Sequence, residues 1–271
     1  MKLKFWGVRG SIPTPGVQYA RFGGNTSCVE LCIDDKVIIF DMGSGLKDLG
    51  KSIVERKIKN FDILISHFHY DHTCGLPFFE PAYISGYDFS INSAKLKTRK
   101  ETKGVLSDQI SSPSFPITVD KFSATIKYKN FEVEKKFNLN EKIKVKTTHL
   151  NHPDGATGYR VESNNKSVSY ITDHEHQPNK KNNELIDFLK GTDALIYDST
   201  YDDDEFSNYI GWGHSTWQEA VRLAKASKVK KLFIFHHNPE NNDKAMDIIQ
   251  KKCFQINENY LVAMEGKYYY I

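Results

Sequence analysis

Ser66-His67-Phe68-His69-Tyr70-Asp71-His72 directly follows the apolar run Phe61-Asp62-Ile63-Leu64-Ile65, and four metal-type ligands fall within six of its residues. A near-continuous apolar run predicts a strand buried on both faces. The cluster then lies where that strand emerges into a loop, the place where α/β sheets hold their ligands. His67 and His69, two apart on extended chain, point the same way, while Asp71 and His72 lie past the bend and face a second ion. One isolated histidine here would read as a core residue. Four ligands packed together predict two metal ions.

A chain of 271 residues is long for an average domain, yet layered α/β folds of roughly 200–250 residues pack as one unit. A single domain over residues 1–271 is therefore expected. Hydrophobic content of 39 % and charged content of 26 % are ordinary for a globular protein. No apolar run approaches the roughly 18 residues of a membrane span. Met1-Lys2-Leu3-Lys4-Phe5-Trp6-Gly7 lacks the apolar core and cleavage site of a secretory signal. The expectation is a cytoplasmic protein with no membrane partner. Cys28, Cys32, Cys74 and Cys253 have no Cys-x-x-Cys spacing, which suits reduced thiols and leaves metal binding to His and Asp. A net charge of +3 does not announce a nucleic-acid binder, and the Lys-rich stretches Lys95 to Lys103 and Lys225 to Lys231 read as solvated faces.

The pattern along the chain places strands at Lys2 to Trp6, Ser27 to Ile33, Lys36 to Phe40 and Phe61 to Ser66, with an amphipathic helix from about Leu46 to Arg56. The Gly7 to Gly16 loop lacks the Lys-Ser/Thr ending of a phosphate-binding P-loop. Thr73 to Phe79 opens a short helix, and Tyr87 to Asn92 is a strand. Residues from about Ala94 to Thr118 turn polar, with a helix at Thr102 to Ile110, and form the candidate lid around Ser111 to Pro116. Lys121 to Lys129, Phe131 to Phe137 and Lys142 to Leu150 read as strands. Gly158 to Glu162 and Ser167 to Thr172 form a hairpin that delivers Asp173 at its end. A helix from about Lys181 to Lys190, a strand at Asp193 to Tyr197, a helix at Thr216 to Ser227 and a strand at Lys231 to Phe235 follow. A last helix and a Tyr-rich strand pair, Tyr260 to Met264 with Lys267 to Ile271, close the chain. The acidic run Asp202 to Glu205 reads as solvated.

The ten histidines fall in five places: at the first cluster, at His149 and His152, at His174 and His176, at His214, and at His236 and His237. Most are strand ends or the loops just after them, so these loops are expected to converge on one site. With Asp41-Met42-Gly43, the His67 to His72 cluster, His152 ahead of Gly158-Tyr159-Arg160, Asp173 and His236, the chain resembles the metallo-β-lactamase superfamily of four-layer αββα hydrolases. Asp198-Ser199-Thr200 and His214-Ser215-Thr216 resemble motifs of its ribonuclease Z-like phosphodiesterase branch.

That resemblance implies one metal on His67, His69 and His152, another on Asp71, His72 and His236, and Asp173 bridging both. His236 is chosen over His237 because it follows the strand immediately. His152 is chosen over His149 because it ends its strand at the family distance before Gly158-Tyr159. Imidazole and carboxylate ligands suit zinc at about 2.0–2.2 Å and also accept manganese or iron. Two dications balanced by two carboxylates and one hydroxide leave a single positive charge, matching a phosphodiester monoanion. Ions about 3.5–4 Å apart generate the hydroxide nucleophile and clamp the phosphoryl oxygens. Asp71 orients that hydroxide, and His214, held by Asp198, is the expected general acid.

Ribonuclease Z enzymes carry a protruding basic arm for tRNA, and no Gly- and Lys-rich insertion of that kind is evident. The expected substrate is therefore a small phosphodiester, and the resemblance of Trp6-Gly7-Val8-Arg9-Gly10-Ser11-Ile12-Pro13 and Gly23-Gly24-Asn25-Thr26-Ser27 to cyclic phosphodiesterases of this branch implies a cyclic nucleotide or cyclic phosphate; the alternatives are tRNA 3′-end endonuclease and glyoxalase II-type thioester hydrolysis. The resemblance also implies a homodimer.

Overall fold

The computed structural model describes residues 1–95 and 100–271; of the Lys95 to Lys103 stretch and the candidate lid, residues 96–99 lie outside the described part. The chain runs β1 (Lys2–Gly7), β2 (Cys28–Ile33), β3 (Lys36–Phe40), α1 (Leu46–Glu55), β4 (Asn60–Ile65), β5 (Asp88–Ala94), α2 (Thr102–Gln109), β6 (Thr125–Phe131), β7 (Lys136–Asn138) and β8 (Lys144–Leu150). It continues with β9 (Ala156–Ser163), β10 (Lys166–Ile171), α3 (Asn183–Leu189), β11 (Ala194–Asp198), α4 (Trp217–Ala226), β12 (Lys231–Phe235), α5 (Asp243–Ile256), β13 (Tyr260–Val262) and β14 (Tyr268–Tyr270).

Among the described residues these strands form two seven-stranded sheets, ordered β14-β1-β2-β3-β4-β5-β6 and β13-β12-β11-β10-β9-β8-β7. Each sheet is part parallel and part antiparallel: β3 through β6 run parallel in the first, and β10 through β13 in the second. The parallel strands carry apolar side chains on both faces, as in β4, where every residue after Asn60 is buried. The two sheets face each other over a core that includes Phe5, Phe40, Tyr170 and Phe233. Within it Phe5 and Phe233 meet edge to face at 5.3 Å and Phe40 stacks on Tyr170 at 5.0 Å, each pair joining the sheets.

Outside the first sheet, Leu46, Leu49 and Ile53 line one stripe of α1 and pack on β3 and β4. Outside the second sheet, α3, α4 and α5 bury Leu185, Ala220 and Met246 against β11 and β12. The layer order is thus αββα, as expected. Burying each of these Leu, Ile and Met side chains contributes about 1.5–3 kcal/mol.

Several local expectations are corrected. Tyr260–Val262 and Tyr268–Tyr270 do not pair with each other: β13 extends the second sheet beside β12 and β14 the first beside β1, because Ala263 to Lys267 crosses between the sheets. The expected strand at Lys121 to Lys129 begins instead as a 3₁₀ turn, Val119–Lys121, and pairs only from Thr125; the turn at Glu134 (φ 68°) shortens the next strand to Lys136–Asn138. The segment after the His cluster forms 3₁₀ turns rather than an α-helix, with Pro77 and Pro81 in their first turns. The acidic run is not simply solvated. Asp202 accepts from Trp217 Nε1 (2.8 Å) and Gln218 Nε2 (2.7 Å), and Asp203 from Thr216 Oγ1 (2.6 Å), so the run clamps the start of α4.

Candidate metal centre

The chain must reverse where a buried parallel strand ends, and five such ends meet at one edge of the sandwich. β3 delivers Asp41, β4 the His67 to His72 loop, β10 Asp173, β11 Asp198 and β12 His236; His152 follows β8. Asp41, Asp173 and His236 sit at φ 59°, 54° and 58°, the left-handed region that Asp, Asn and His tolerate best among residues with side chains. Tyr159 Oη donates to Ile65 O (2.6 Å) and Thr157 N to Ser66 O (2.9 Å), so the second sheet fixes the backbone just before the cluster.

The predicted ligands come together in two sets. Single ligand atoms of His67, His69, His152 and Asp173 lie within 4.8 Å of one another, and so do those of Asp71, His72 and His236. Asp173 faces both. Its Oδ1 lies 3.6 Å from His67 Nε2 and 3.7 Å from His152 Nε2, and its Oδ2 3.1 Å from His72 Nε2 and 3.3 Å from His236 Nε2. Asp71 Oδ2 is 3.3 Å from His72 Nε2 and 3.4 Å from His236 Nε2, and also accepts the backbone N–H of Ser11 (2.7 Å).

The outer partners set the tautomers. Asp41 accepts from Ser66 N and Oγ and from Tyr170 Oη, and its Oδ2 lies 2.8 Å from His72 Nδ1; a carboxylate only accepts, so His72 carries its proton there. Ser66 Oγ donates its hydrogen bond to Asp41 and so accepts from His67 Nδ1 (3.0 Å). His152 Nδ1 donates to Gly213 O (2.8 Å), and His236 Nδ1 faces Thr200 Oγ1 (3.1 Å). Four imidazoles thus turn a bare Nε2 inward, the form that binds a metal. Gly213 (φ 86°) is required, since a Cβ there would stand 2.1 Å from His152 Nδ1; a Cβ on Gly10 would stand 2.4 Å from the His236 ring.

These residues fit divalent cations. The Nε2 atoms of His67, His72 and His236 are buried without a hydrogen-bond partner, an expensive state that ligation resolves. His69 Nδ1 and His152 Nε2 are 3.0 Å apart, near the roughly 3.3 Å between ligand atoms on one tetrahedral zinc. Burial alone pushes the His72 pKa down, but the charges of Asp173, Asp71 and Asp41 outweigh it and push it well up: the pocket calls for positive charge. His67, buried beside His72, is pushed well below its usual value.

The predicted acid stands at the rim of this cluster. His214 Nδ1 lies 2.9 Å from Asp198 Oδ2 and 3.8 Å from Asp173 Oδ1. Burial lowers its pKa, and the Asp198 charge and hydrogen bond override that and raise it to about 9. Other histidines point elsewhere. His237 Nε2 donates to Ala263 O (2.9 Å), His149 is exposed, His174 Nδ1 accepts from Asn151 N (3.1 Å), and His176 stacks on Phe206 at 4.2 Å. Sequence reasoning missed the shell behind the ligands: Ser66, Tyr170, Thr200 and Gly213, and the direct grip of Asp41 on His72. Asp41 carried a signal, an acid at the end of an apolar strand as at Asp173, and Thr200 lay in the Asp198-Ser199-Thr200 motif with no role attached to it. The lid segment touches the cluster loop through Gln109 Nε2, which donates to Phe68 O (2.7 Å), and Phe115 packs edge-on against Phe78.

A family model described as the beta-lactamase superfamily domain matches residues 46–237. Ribonuclease Z of Picrophilus torridus is 26 % identical over 96 % of this chain and 93 % of its own length. Among solved structures, human tRNase Z, short form, superposes with a TM-score of 0.68 at 19 % identity over 100 % of this chain and 98 % of that one. A diphosphatase from the PhnP family superposes with a TM-score of 0.71 at 18 % identity over 100 % and 97 %. The relatives named ribonuclease Z fit the alternative that the sequence places second better than the cyclic phosphodiester it places first. The chain belongs to the metallo-β-lactamase superfamily of metal-dependent hydrolases, in its ribonuclease Z-like branch.

Proposed function

We propose that this protein is an RNA phosphodiesterase of ribonuclease Z type, cutting near the 3′ end of a precursor tRNA and using two divalent ions, zinc first among them. The observation that carries the reading is the bridging position of Asp173 between two sets of imidazole nitrogens, those of His67, His72 and His236 without a hydrogen-bond partner, with the His214–Asp198 pair at their rim. His67, His69 and His152 would hold one ion, Asp71, His72 and His236 the other, with Asp173 shared. When bound, such an ion pair supplies a nucleophile at neutral pH and offsets charge on the phosphoryl group.

The chain's own residues do the rest. Asp71, fixed by Ser11 N–H, orients what occupies the cluster. Asp198 engages His214 Nδ1–H and raises the pKa of the ring to about 9, which favours the Nε2–H that His214 would hand to the leaving sugar oxygen. Unpaired thiols at Cys28, Cys32, Cys74 and Cys253 suit a cytoplasmic setting. Among the described residues no helix is long and apolar enough to cross a membrane.

A second reading, hydrolysis of a small phosphodiester, is favoured by length. The alignment with the Picrophilus torridus relative runs over 310 residues against 271 in this chain, so that relative has segments with no counterpart here. The deciding experiment compares kcat/KM of metal-loaded protein on a 3′-extended precursor tRNA, cyclic nucleotides, linear dinucleotides and a thioester. The highest value on precursor tRNA is expected; a higher value on a small diester would establish the second reading, and a higher value on the thioester would defeat both. Sedimentation of the same sample tests for the homodimer.

A further inference from the structure

The cluster is closed by protein on most sides and open at His69, which is exposed while His67, His72, His152, Asp173 and His236 are buried. Two large, exposed aromatic residues are the chain neighbours of residues at that opening. Tyr70, next to His69, is 71 % exposed, and Trp212, next to Gly213, is 62 % exposed. Both are tied to one ring: His152 meets His69 through Nε2 and the Gly213 carbonyl through Nδ1.

Trp212 is exposed but not loose. Glu175 Oε2 accepts from the N–H of Gly211 (2.7 Å) and of Gly213 (2.8 Å), and the Trp212 N–H itself donates to Tyr209 O (3.1 Å). Its ring meets Tyr209 edge-on at 5.6 Å, Tyr209 stacks on Tyr201 at 4.1 Å with 4° between planes, and Tyr201 lies 6.1 Å from the His214 ring. A ladder of rings therefore runs from the candidate acid to the surface. Neither other tryptophan is so placed: Trp217 is buried and Trp6 is half-buried and bonded to Glu30. A rigid apolar face beside a centre suited to a phosphodiester costs little order to use, and unpaired nucleobases flank such a phosphate in RNA.

Resting on the ribonuclease reading, we infer that Trp212, together with Tyr70 beside His69, is a stacking platform for unpaired nucleobases next to the scissile phosphate. The surface would thus read single-stranded RNA by the faces of its bases, tolerant of sequence.

The test uses the full, metal-loaded chain. Tryptophan emission is followed while adenosine 5′-monophosphate is added: quenching is expected in the wild type and lost in Trp212→Phe. In parallel, the ratio of kcat/KM on a single-stranded RNA to that on methyl p-nitrophenyl phosphate is expected to fall about 5–100-fold in Trp212→Ala, mainly through KM. Part of that loss should return in Trp212→Phe, and Tyr70→Ala should move the ratio in the same direction. Quenching that persists in Trp212→Phe, or a ratio unchanged in Trp212→Ala, would overturn the platform. A wild type that cleaves no phosphodiester would overturn the ribonuclease reading alone, since the nucleotide titration decides the platform without turnover.

Discussion

The His72 imidazole and the Asp41 carboxylate face each other at 2.8 Å across the ends of the adjacent parallel strands β3 and β4. Asp41 touches no candidate metal position, yet it fixes which nitrogen of His72 is bare. Asp41→Asn is expected to weaken the binding of one ion about 10–100-fold, the usual cost of losing such an outer partner, read by competition with a chelator. Unchanged affinity at both sites would refute this role.

Each ligand set should fail separately. His67→Ala or His152→Ala is expected to deplete one ion per chain and His72→Ala or His236→Ala the other, by elemental analysis of metal-replete protein. His237→Ala should keep both ions, because its ring is turned to Ala263 O. Loss of an ion in His237→Ala, or one ion at most in the wild type, would sink the assignment.

The leaving group decides how much His214 matters. A general acid contributes about 10²–10⁴-fold when the departing oxygen is strongly basic and little when it is not. His214→Ala should lose turnover in that range on a nucleotide ester, spare a nitrophenyl ester and keep its metal; Asp198→Asn should do the same more mildly. Equal losses on both esters would show that His214 does not deliver the proton.

Glu265 predicts a pH dependence remote from the cluster. Burial raises its pKa from an ordinary 4.5 to about 7, although Asn25 N–H donates to it at 2.6 Å and the Arg9 charge pulls it down. The folded chain therefore keeps a proton that the unfolded chain releases, and this contribution to stability falls as pH rises from about 4.5 through 7. Glu265→Gln should remove that slope, so denaturant curves for variant and wild type should diverge by on the order of 2 kcal/mol across the window. Parallel curves would contradict it.

What was legible in the sequence was what local pattern controls. The apolar runs of β4, β11 and β12 and the Asn164-Asn165 turn, both at positive φ, announced their elements and so the strand ends that carry ligands. Pairing partners were not legible: nothing near Tyr260 or Tyr268 says that their strands join different sheets. The acids at Asp202 and Asp203 read as solvated because their partners Trp217 and Arg222 lie on a helix whose placement is a tertiary fact. The same limit hid Ser66 and Thr200, ordinary residues made decisive only by what they touch.

The ligands are divided between the two halves of the sandwich, with His67, His69, Asp71 and His72 following a strand of one sheet and His152, Asp173 and His236 following strands of the other. Cations held there would act as a clasp between layers otherwise joined by apolar contact and a few hydrogen bonds, such as that of Tyr159 Oη to Ile65 O. Binding free energy spent on them becomes cohesion of the whole fold, graded by the free metal concentration. Stripping the metal should therefore lower the thermal midpoint of the entire chain, not loosen one loop.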